Sequence, residues 1–284
     1  METENSFLPE FVQLFSVRKN NLTESFIMSK LSKVKHVFLD MDGTIYQGKT
    51  MYPTTQPFLD FLKSRGIGYT FLTNNSSCGM NDYAEKLTRM GLPAVPEDFY
   101  SSTNYCISYL QRKHPEIKKL YLLSVPTIRP EFEEAGFELV EENPDAVVLA
   151  FDKTIDYEKM CRAAWFMSND IPSFATHPDV FCPTDQPTFL VDCGAMTACL
   201  ETATGKKMTV LGKPDPGMLI TAAEKLGIRP DECLMCGDRL QTDIAVGTNA
   251  GTVTCYIYHP GAPESEIPDY TLNNLAELIP LWDK

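Results

Sequence analysis

The sequence predicts an α/β protein in which a parallel sheet carries a second α/β block inserted into it. Three observations lead there. Apolar runs of four or five residues alternate with stretches of helical period, several of those runs end in polar clusters, and the first pattern returns after a long interval holding strands and helices of its own. The resulting division is an amino-terminal extension over residues 1–33, an outer domain from 34–79 and 206–284, and an inserted domain over 80–205.

The elements follow in order. Residues 1–33 mix apolar clusters such as Phe7-Leu8 and Leu14-Phe15 with polar runs, which suggests an extension with a short helix packed on the body; Met28 offers an alternative start. Residues 35–39 lack helical period and are rich in β-formers, so they should be a buried strand with Asp40 at its carboxyl end. Residues 69–72 repeat that pattern before Thr73-Asn74-Asn75-Ser76. Helical spacing then runs from Asn81 to a stop at Gly91. In the inserted block, 120–125, 137–140, 146–150 and 173–175 read as strands. Residues 126–135 read as helix, and so do 157–168, with Asp156 as the cap. After Lys206 the outer pattern resumes with strands at 208–211, 233–236 and 252–258 and a helix at 217–226 ended by Gly227.

Composition narrows the function. A formal charge of −13 and a pI near 4.8 oppose a nucleic-acid partner or an anionic membrane surface by long-range repulsion. A phosphate ester would be repelled as well, so a site for one must make its own positive potential from a metal cation, a lysine and oriented backbone amides. Nine cysteines, no secretory signal and no long apolar stretch make the expectation a reduced, cytoplasmic protein. In such a setting the glycosylation patterns at Asn21 and Asn74 carry no meaning. Cys233-Leu234-Met235-Cys236 has redox spacing but lies inside a strand, which puts its sulfurs on opposite faces and makes them core residues. The four histidines, His36, His114, His177 and His259, have no zinc-ligand spacing.

The chemistry concentrates at Asp40-Met41-Asp42-Gly43-Thr44. Side chains at i and i+2 of an extended chain point the same way, roughly 6.6 Å apart at about 3.3 Å per residue. One carboxylate can therefore attack a phosphorus while the other reaches the departing oxygen. Gly43 permits close backbone approach to an anion, and Thr44 can cap a turn or bond a carboxylate. A plain turn would also use Asp and Gly. An EF-hand loop fails, because Ile45 and Met51 stand where it needs Gly and Glu. Three further polar clusters end apolar runs: Thr73-Asn74-Asn75, Gly212-Lys213-Pro214-Asp215-Pro216 and Gly237-Asp238-Arg239-Leu240-Gln241-Thr242-Asp243. A parallel sheet would bring all four to one edge, where α/β folds bind ligands.

The order and wording of these clusters resemble the haloacid dehalogenase-like superfamily, whose nucleophile motif Asp-x-Asp-Gly-Thr is matched by residues 40–44. The resemblance covers about residues 34–284. An insertion after the Thr73 motif looks like the NagD-type branch of phosphatases, which includes sugar, nucleotide, pyridoxal-phosphate and phosphoglycolate phosphatases. It implies a Rossmann-like core with an α/β cap that sets specificity. By the same resemblance Asp40 is the nucleophile and Asp42 the acid that protonates the leaving group and then deprotonates water. Thr73, Asn74 and Lys213 bind the phosphoryl group. Mg²⁺ is held by Asp40, Asp238 and the Asp42 backbone carbonyl, with Asp243 supporting the metal shell. In the cap, His177, Asp179, Gly194 and Ala195 contact substrate, Cys193-Gly194-Ala195-Met196 being a small-residue loop facing the site. His177 stands where related caps have Asn. Asp42 is the residue that dehalogenases and ion-pumping ATPases lack, and the absence of membrane spans removes the pumps independently.

The expected activity is thus a Mg²⁺-dependent phosphatase that hydrolyses a small phosphorylated metabolite through an aspartyl-phosphate. A carboxylate attacking a phosphate dianion needs a bridging cation, and clustered carboxylates raise one another's proton affinity, which would let Asp42 hold a proton while Lys213 and the metal keep Asp40 ionised. The same residues would also serve a phosphotransferase or phosphomutase. A binding or regulatory protein of this fold without chemistry is disfavoured by the intact motifs. The resemblance also implies a homodimer through the cap.

Overall fold

The computed structural model describes residues 30–184 and 187–282, so the expectations for residues 1–29 lie outside the described chain. Its strands are β1 (His36–Leu39), β2 (Tyr46–Gln47), β3 (Thr50–Met51), β4 (Gly68–Thr73), β5 (Phe99–Ser101), β6 (Lys119–Leu123), β7 (Glu138–Leu139), β8 (Ala146–Leu149), β9 (Ser173–Ala175), β10 (Phe181–Pro183), β11 (Phe189–Val191), β12 (Thr209–Val210), β13 (Cys233–Gly237), β14 (Val253–Ile257) and β15 (Tyr270–Leu272). The helices are α1 (Thr55–Ser64), α2 (Met80–Arg89), α3 (Ser102–Lys113), α4 (Arg129–Glu134), α5 (Tyr157–Ser168), α6 (Cys193–Thr204), α7 (Pro216–Lys225), α8 (Ala245–Ala250) and α9 (Ile279–Trp282).

Two parallel sheets organise them. The first has six strands in the order β15-β14-β13-β1-β4-β5, and the second has five in the order β12-β9-β8-β6-β7. Alternating strands and helices favour this result, because parallel neighbours need a crossover that a helix supplies. β1 lies inside the first sheet, paired with β13 and β4, and all four of its residues are buried. A strand covered on both faces can be apolar throughout, which is why residues 36–39 show no alternation.

Sheet membership departs from the sequence division at two short strands. β5, within residues 80–205, pairs with β4 from Phe71↔Phe99 to Thr73↔Ser101 and closes an edge of the first sheet. β12, which follows Lys206, pairs with β9 and closes an edge of the second. Strands of two or three residues carry no usable period, so their neighbours decide where they belong.

The sheets share an apolar layer. Tyr105, Cys106 and Leu110 of α3 and Met218, Leu219 and Ala222 of α7 join Phe38, Leu72 and Met235 of the first sheet to Leu120, Leu122 and Val148 of the second in one buried cluster. Separate clusters cover the far face of each sheet. Parting the two sheets would expose the shared layer at about 25 cal/mol per Å² of apolar surface. Cys233 belongs to the shared cluster and Cys236 to a far-face cluster, as strand alternation requires.

Residues 193–196 are not a loop. They open α6, and Asp192 caps it by accepting the Cys193 N–H at 2.6 Å. Gly194 is required there, because a Cβ would sit 2.0 Å from the Pro178 carbonyl oxygen. The small residues let the helix start press against the 176–179 loop.

Candidate active site

The parallel register Leu39↔Cys236 sets the ends of β1 and β13 side by side, and the Asp40 N–H donates to the Cys236 carbonyl at 2.9 Å. The turn at Leu240–Ile244 then folds Asp243 back, so that Asp40, Asp238 and Asp243 each offer an oxygen within 4.8 Å of the others. Lys213, from the loop after β12, reaches into this group. Its Nζ lies 2.5 Å from Asp40 Oδ1 and 2.6 Å from Asp243 Oδ1, and it donates to the Leu72 carbonyl at 3.1 Å. Together these residues form the floor of a cleft.

Three carboxylates crowd one ammonium that contacts only Asp40 and Asp243, and the proton affinities reflect it. Burial, followed by the charge of Asp243, pushes Asp40 up to about 7 against the pull of Lys213. Asp238 rises to about 8, first through burial and then through Asp40 and Asp243. Burial alone would lower Lys213, yet Asp243 and Asp40 raise it above an ordinary lysine. Asp238 Oδ1 is buried with no hydrogen-bond partner. An oxygen-only donor set with surplus negative charge and an orphaned oxygen fits a hard divalent cation such as Mg²⁺. Gly43 belongs to the same fit. Its φ is +89°, and a Cβ there would fall 2.2 Å from Asp238 Oδ2, so the close approach this glycine permits is to a carboxylate of the floor.

The end of β4 supplies the next contacts. Asn74 Oδ1 accepts the Lys213 N–H at 2.7 Å, and Asn74 Nδ2 donates to the Lys213 carbonyl at 2.9 Å and to Asp179 Oδ2 at 3.3 Å. The Asn74 carboxamide is therefore committed to holding the Lys213 backbone and one cleft carboxylate. Thr73 Oγ1 accepts the Asn75 N–H at 3.2 Å, and its hydroxyl is also hydrogen-bonded with the Tyr83 hydroxyl.

A cleft of about 140 Å³ lies above the floor, lined among others by Asp40, Asp42, Thr73, Asn74, Lys213 and Asp179. The ladder of β1 ends at Leu39, so strand pleating does not align Asp40 with Asp42, yet both reach the cleft. Asp42 is exposed, whereas the Thr44 hydroxyl is buried without a partner. Of the expected cap contacts only Asp179 lines the cleft. His177 is buried behind Asp179, and Gly194 packs on the backbone, its N–H donating to the Asp179 carbonyl at 2.8 Å. Ala195 lies on the same first turn of α6 and is not among the lining residues. The reading of 193–196 as a loop missed that α6 starts there.

Other lining residues escaped the sequence reading: Tyr46, Lys86, Asp192 and Arg239. Arg239 stands inside the Gly237–Asp243 cluster, so a signal existed; its guanidinium is buried in part and its charge is favoured by Asp238, Asp40 and Asp179. Tyr46 and Lys86 come together only in space, with the Lys86 Nζ 3.9 Å from the Tyr46 ring centre. Asp192 and Asp179, with Phe181 and Pro183 of β10, form the wall opposite the floor.

The sequence model of the haloacid dehalogenase-like hydrolases matches residues 37–138, and a second model described as HAD-hydrolase-like matches residues 210–278. An acid sugar phosphatase of Staphylococcus aureus is 30% identical over 261 residues, covering 89% of this chain and 100% of that protein. The 5'-nucleotidase YutF of Bacillus subtilis is 31% identical over 253 residues, covering 87% and 98%. Among solved structures, 4-nitrophenylphosphatase from Thermotoga maritima superimposes with a TM-score of 0.82 at 35% identity, covering 88% of this chain and 98% of that one. NagD from E. coli K-12 gives 0.78 at 28% identity, covering 86% and 98%. The chain belongs to the haloacid dehalogenase-like hydrolases. Within them it is a phosphatase of the NagD-type branch.

Proposed function

We propose that the protein hydrolyses the phosphate monoester of a small metabolite, such as a sugar phosphate or a nucleoside monophosphate, in a Mg²⁺-dependent reaction through an aspartyl-phosphate on Asp40. The observation that carries this reading is the contact of Lys213 Nζ with Asp40 Oδ1 at 2.5 Å inside a three-carboxylate group that contains an orphaned oxygen. Relatives named for sugar phosphates, nucleotides and nitrophenyl phosphate support the substrate class without choosing within it.

Asp40, Asp238 and the Asp42 backbone carbonyl would hold Mg²⁺, with Asp243 supporting them. When bound, the ion offsets the repulsion between carboxylate and phosphate dianion and polarises the phosphoryl oxygens. Asp40 forms a bond to phosphorus as the bond from phosphorus to the leaving oxygen breaks, and Asp42 gives that oxygen its proton. The Asp42 carboxylate then removes a proton from water, whose oxygen attacks phosphorus and frees Asp40 with inorganic phosphate. Lys213 keeps Asp40 oriented and meets the phosphoryl charge. Asn74 serves this step by fixing the Lys213 backbone, and the Thr73 hydroxyl donates to a phosphoryl oxygen.

Specificity belongs to the inserted unit, whose Asp179, Phe181, Pro183 and Asp192 form the wall. Val180, Phe181, Phe189 and Val191 of its hairpin are exposed, apolar surface of the kind a homodimer through the cap would cover. The direct test is release of inorganic phosphate from p-nitrophenyl phosphate with and without Mg²⁺, together with acid quenching during turnover. The expected result is Mg²⁺-dependent release and one phosphoryl group added in mass to the Asp40 peptide. Release while that peptide stays unmodified would overturn the aspartyl-phosphate.

A further inference from the structure

His177 has no part in the reaction above, yet its side chain is fully buried and neither ring nitrogen makes a hydrogen bond. Its Nδ1 lies 3.6 Å from Asp179 Oδ2 and its Nε2 lies 3.5 Å from Asp192 Oδ1. Both carboxylates line the cleft. A buried polar atom left unpaired forfeits the hydrogen bonds it would make in water, so two on one ring call for an explanation.

Proton counting supplies one. A neutral imidazole has one N–H and one lone pair. With both carboxylates ionised, one of the two contacts would set lone pair against lone pair. Two protons spread over the three groups remove the conflict, either as an imidazolium between two carboxylates or as an imidazole between a carboxylate and a carboxylic acid. The surroundings favour the second form. Burial lowers His177 to about 4 and raises Asp192 to about 7. The charged and titratable groups that face the three are Lys213 and Cys193 at His177, Arg239 at Asp179, where Asn74 Nδ2 also donates, and Arg239, Lys153 and Cys182 at Asp192.

We infer that Asp179, His177 and Asp192 are a proton-sharing triad, with His177 as the positioning residue that fixes both wall carboxyls to accept hydrogen bonds from hydroxyl groups of the leaving alcohol. The shared proton also removes one of the two negative charges that the wall would otherwise set against the phosphate. The substrate class that fits is a phosphate monoester of a polyhydroxylated alcohol, a sugar or a ribose. This deepens the phosphatase reading and rests on it.

The experiment has two arms on the full-length protein. The first compares kcat/KM for a pentose or hexose phosphate with that for p-nitrophenyl phosphate, whose leaving group has no alcohol hydroxyl. In His177→Phe and Asp192→Asn the ratio should fall about ten- to hundredfold, the equivalent of one hydrogen bond to a charged acceptor. Equal losses on both substrates would mean a structural role and overturn the triad. The second arm follows the His177 ring nitrogens and the Asp192 carboxyl carbon by NMR across pH. In wild type they should titrate as one coupled unit, and Asp192→Asn should shift the His177 signals. His177 signals that ignore Asp192→Asn would overturn it, even where the phenylalanine variant does not fold. Coupled titration in a protein that releases no phosphate would instead keep the triad and defeat the phosphatase reading.

Discussion

The floor and the wall of the cleft each place a basic side chain among buried carboxyl groups, and they hold it differently. On the floor, Lys213 is 2.5 Å from Asp40 and 2.6 Å from Asp243, and also donates to a backbone carbonyl. On the wall, His177 stands 3.6 and 3.5 Å from Asp179 and Asp192 with no hydrogen bond made. A lysine between carboxylates stays charged, so the floor has a fixed polarity that suits chemistry common to every phosphate ester. An imidazole between carboxyls can move a proton, so the wall can adjust to the alcohol that leaves. Catalysis and selectivity are thus assigned to a permanent charge and to a movable one.

The comparison breaks most sharply at the nucleophile. Asp40→Asn should lower kcat by about 10⁴-fold or more on every substrate, measured as phosphate release in Mg²⁺. Selective loss on one ester alone would contradict a substrate-independent floor.

Lys213→Met tests whether the floor depends on its fixed cation. With Asp40, Asp238 and Asp243 left facing one another, unfolding free energy in the absence of metal should fall by about 3 kcal/mol or more, measured by urea denaturation. A smaller loss would mean that the carboxyls relieve themselves by taking up protons. Next in size is Gly43→Ala, whose Cβ would fall 2.2 Å from Asp238 Oδ2 at a backbone φ of +89°. Displacing Asp238 should raise the Mg²⁺ concentration needed for half-maximal activity by about 10–100-fold. An unchanged metal requirement would remove Asp238 from the proposed shell.

The smallest effect uses His36 as a control imidazole. It is buried like His177 but satisfied, with Nε2 2.9 Å from Thr70 Oγ1. Burial lowers it from 6.5 to about 4. Between those values the unfolded chain binds a proton that the folded protein excludes, so the stability His36 permits is present above pH 6.5 and is lost as the pH falls towards 4. From pH 7.5 to pH 5 this amounts to about 2 kcal/mol, and His36→Gln should abolish that portion of the acid sensitivity in denaturation curves. His177 acts in the same direction, but Asp192, raised to about 7, acts oppositely, which is why His36 isolates the effect.

The floor was legible in the sequence because its residues follow apolar runs that end in short polar motifs; one parallel sheet aligns the ends of β1 and β13, whereas Lys213 follows β12 of the second sheet and reaches across to them, which the expectation of a single edge did not foresee. Asp40, Asp238, Asp243 and Lys213 could be named from that pattern and from the family resemblance it carries. The wall was legible only at Asp179. Asp192 reads as an ordinary polar residue until it is seen capping α6, and His177 reads as a substrate contact of the cap until its two nitrogens are seen between carboxyls. The same limit applied to β5 and β12, too short to announce their sheet.

By itself, then, the sequence determined the alternation of strands and helices, the acidic balance and the chemical inventory at four strand ends, since these depend on local period and residue type. Only tertiary structure decided that α3 and α7 weld the two sheets through a common apolar layer, that Asn74 is spent on Lys213, and that a histidine behind the cleft joins two carboxyls in front of it. Those outcomes depend on distances between segments far apart in the chain, and no local pattern of side chains encodes such distances.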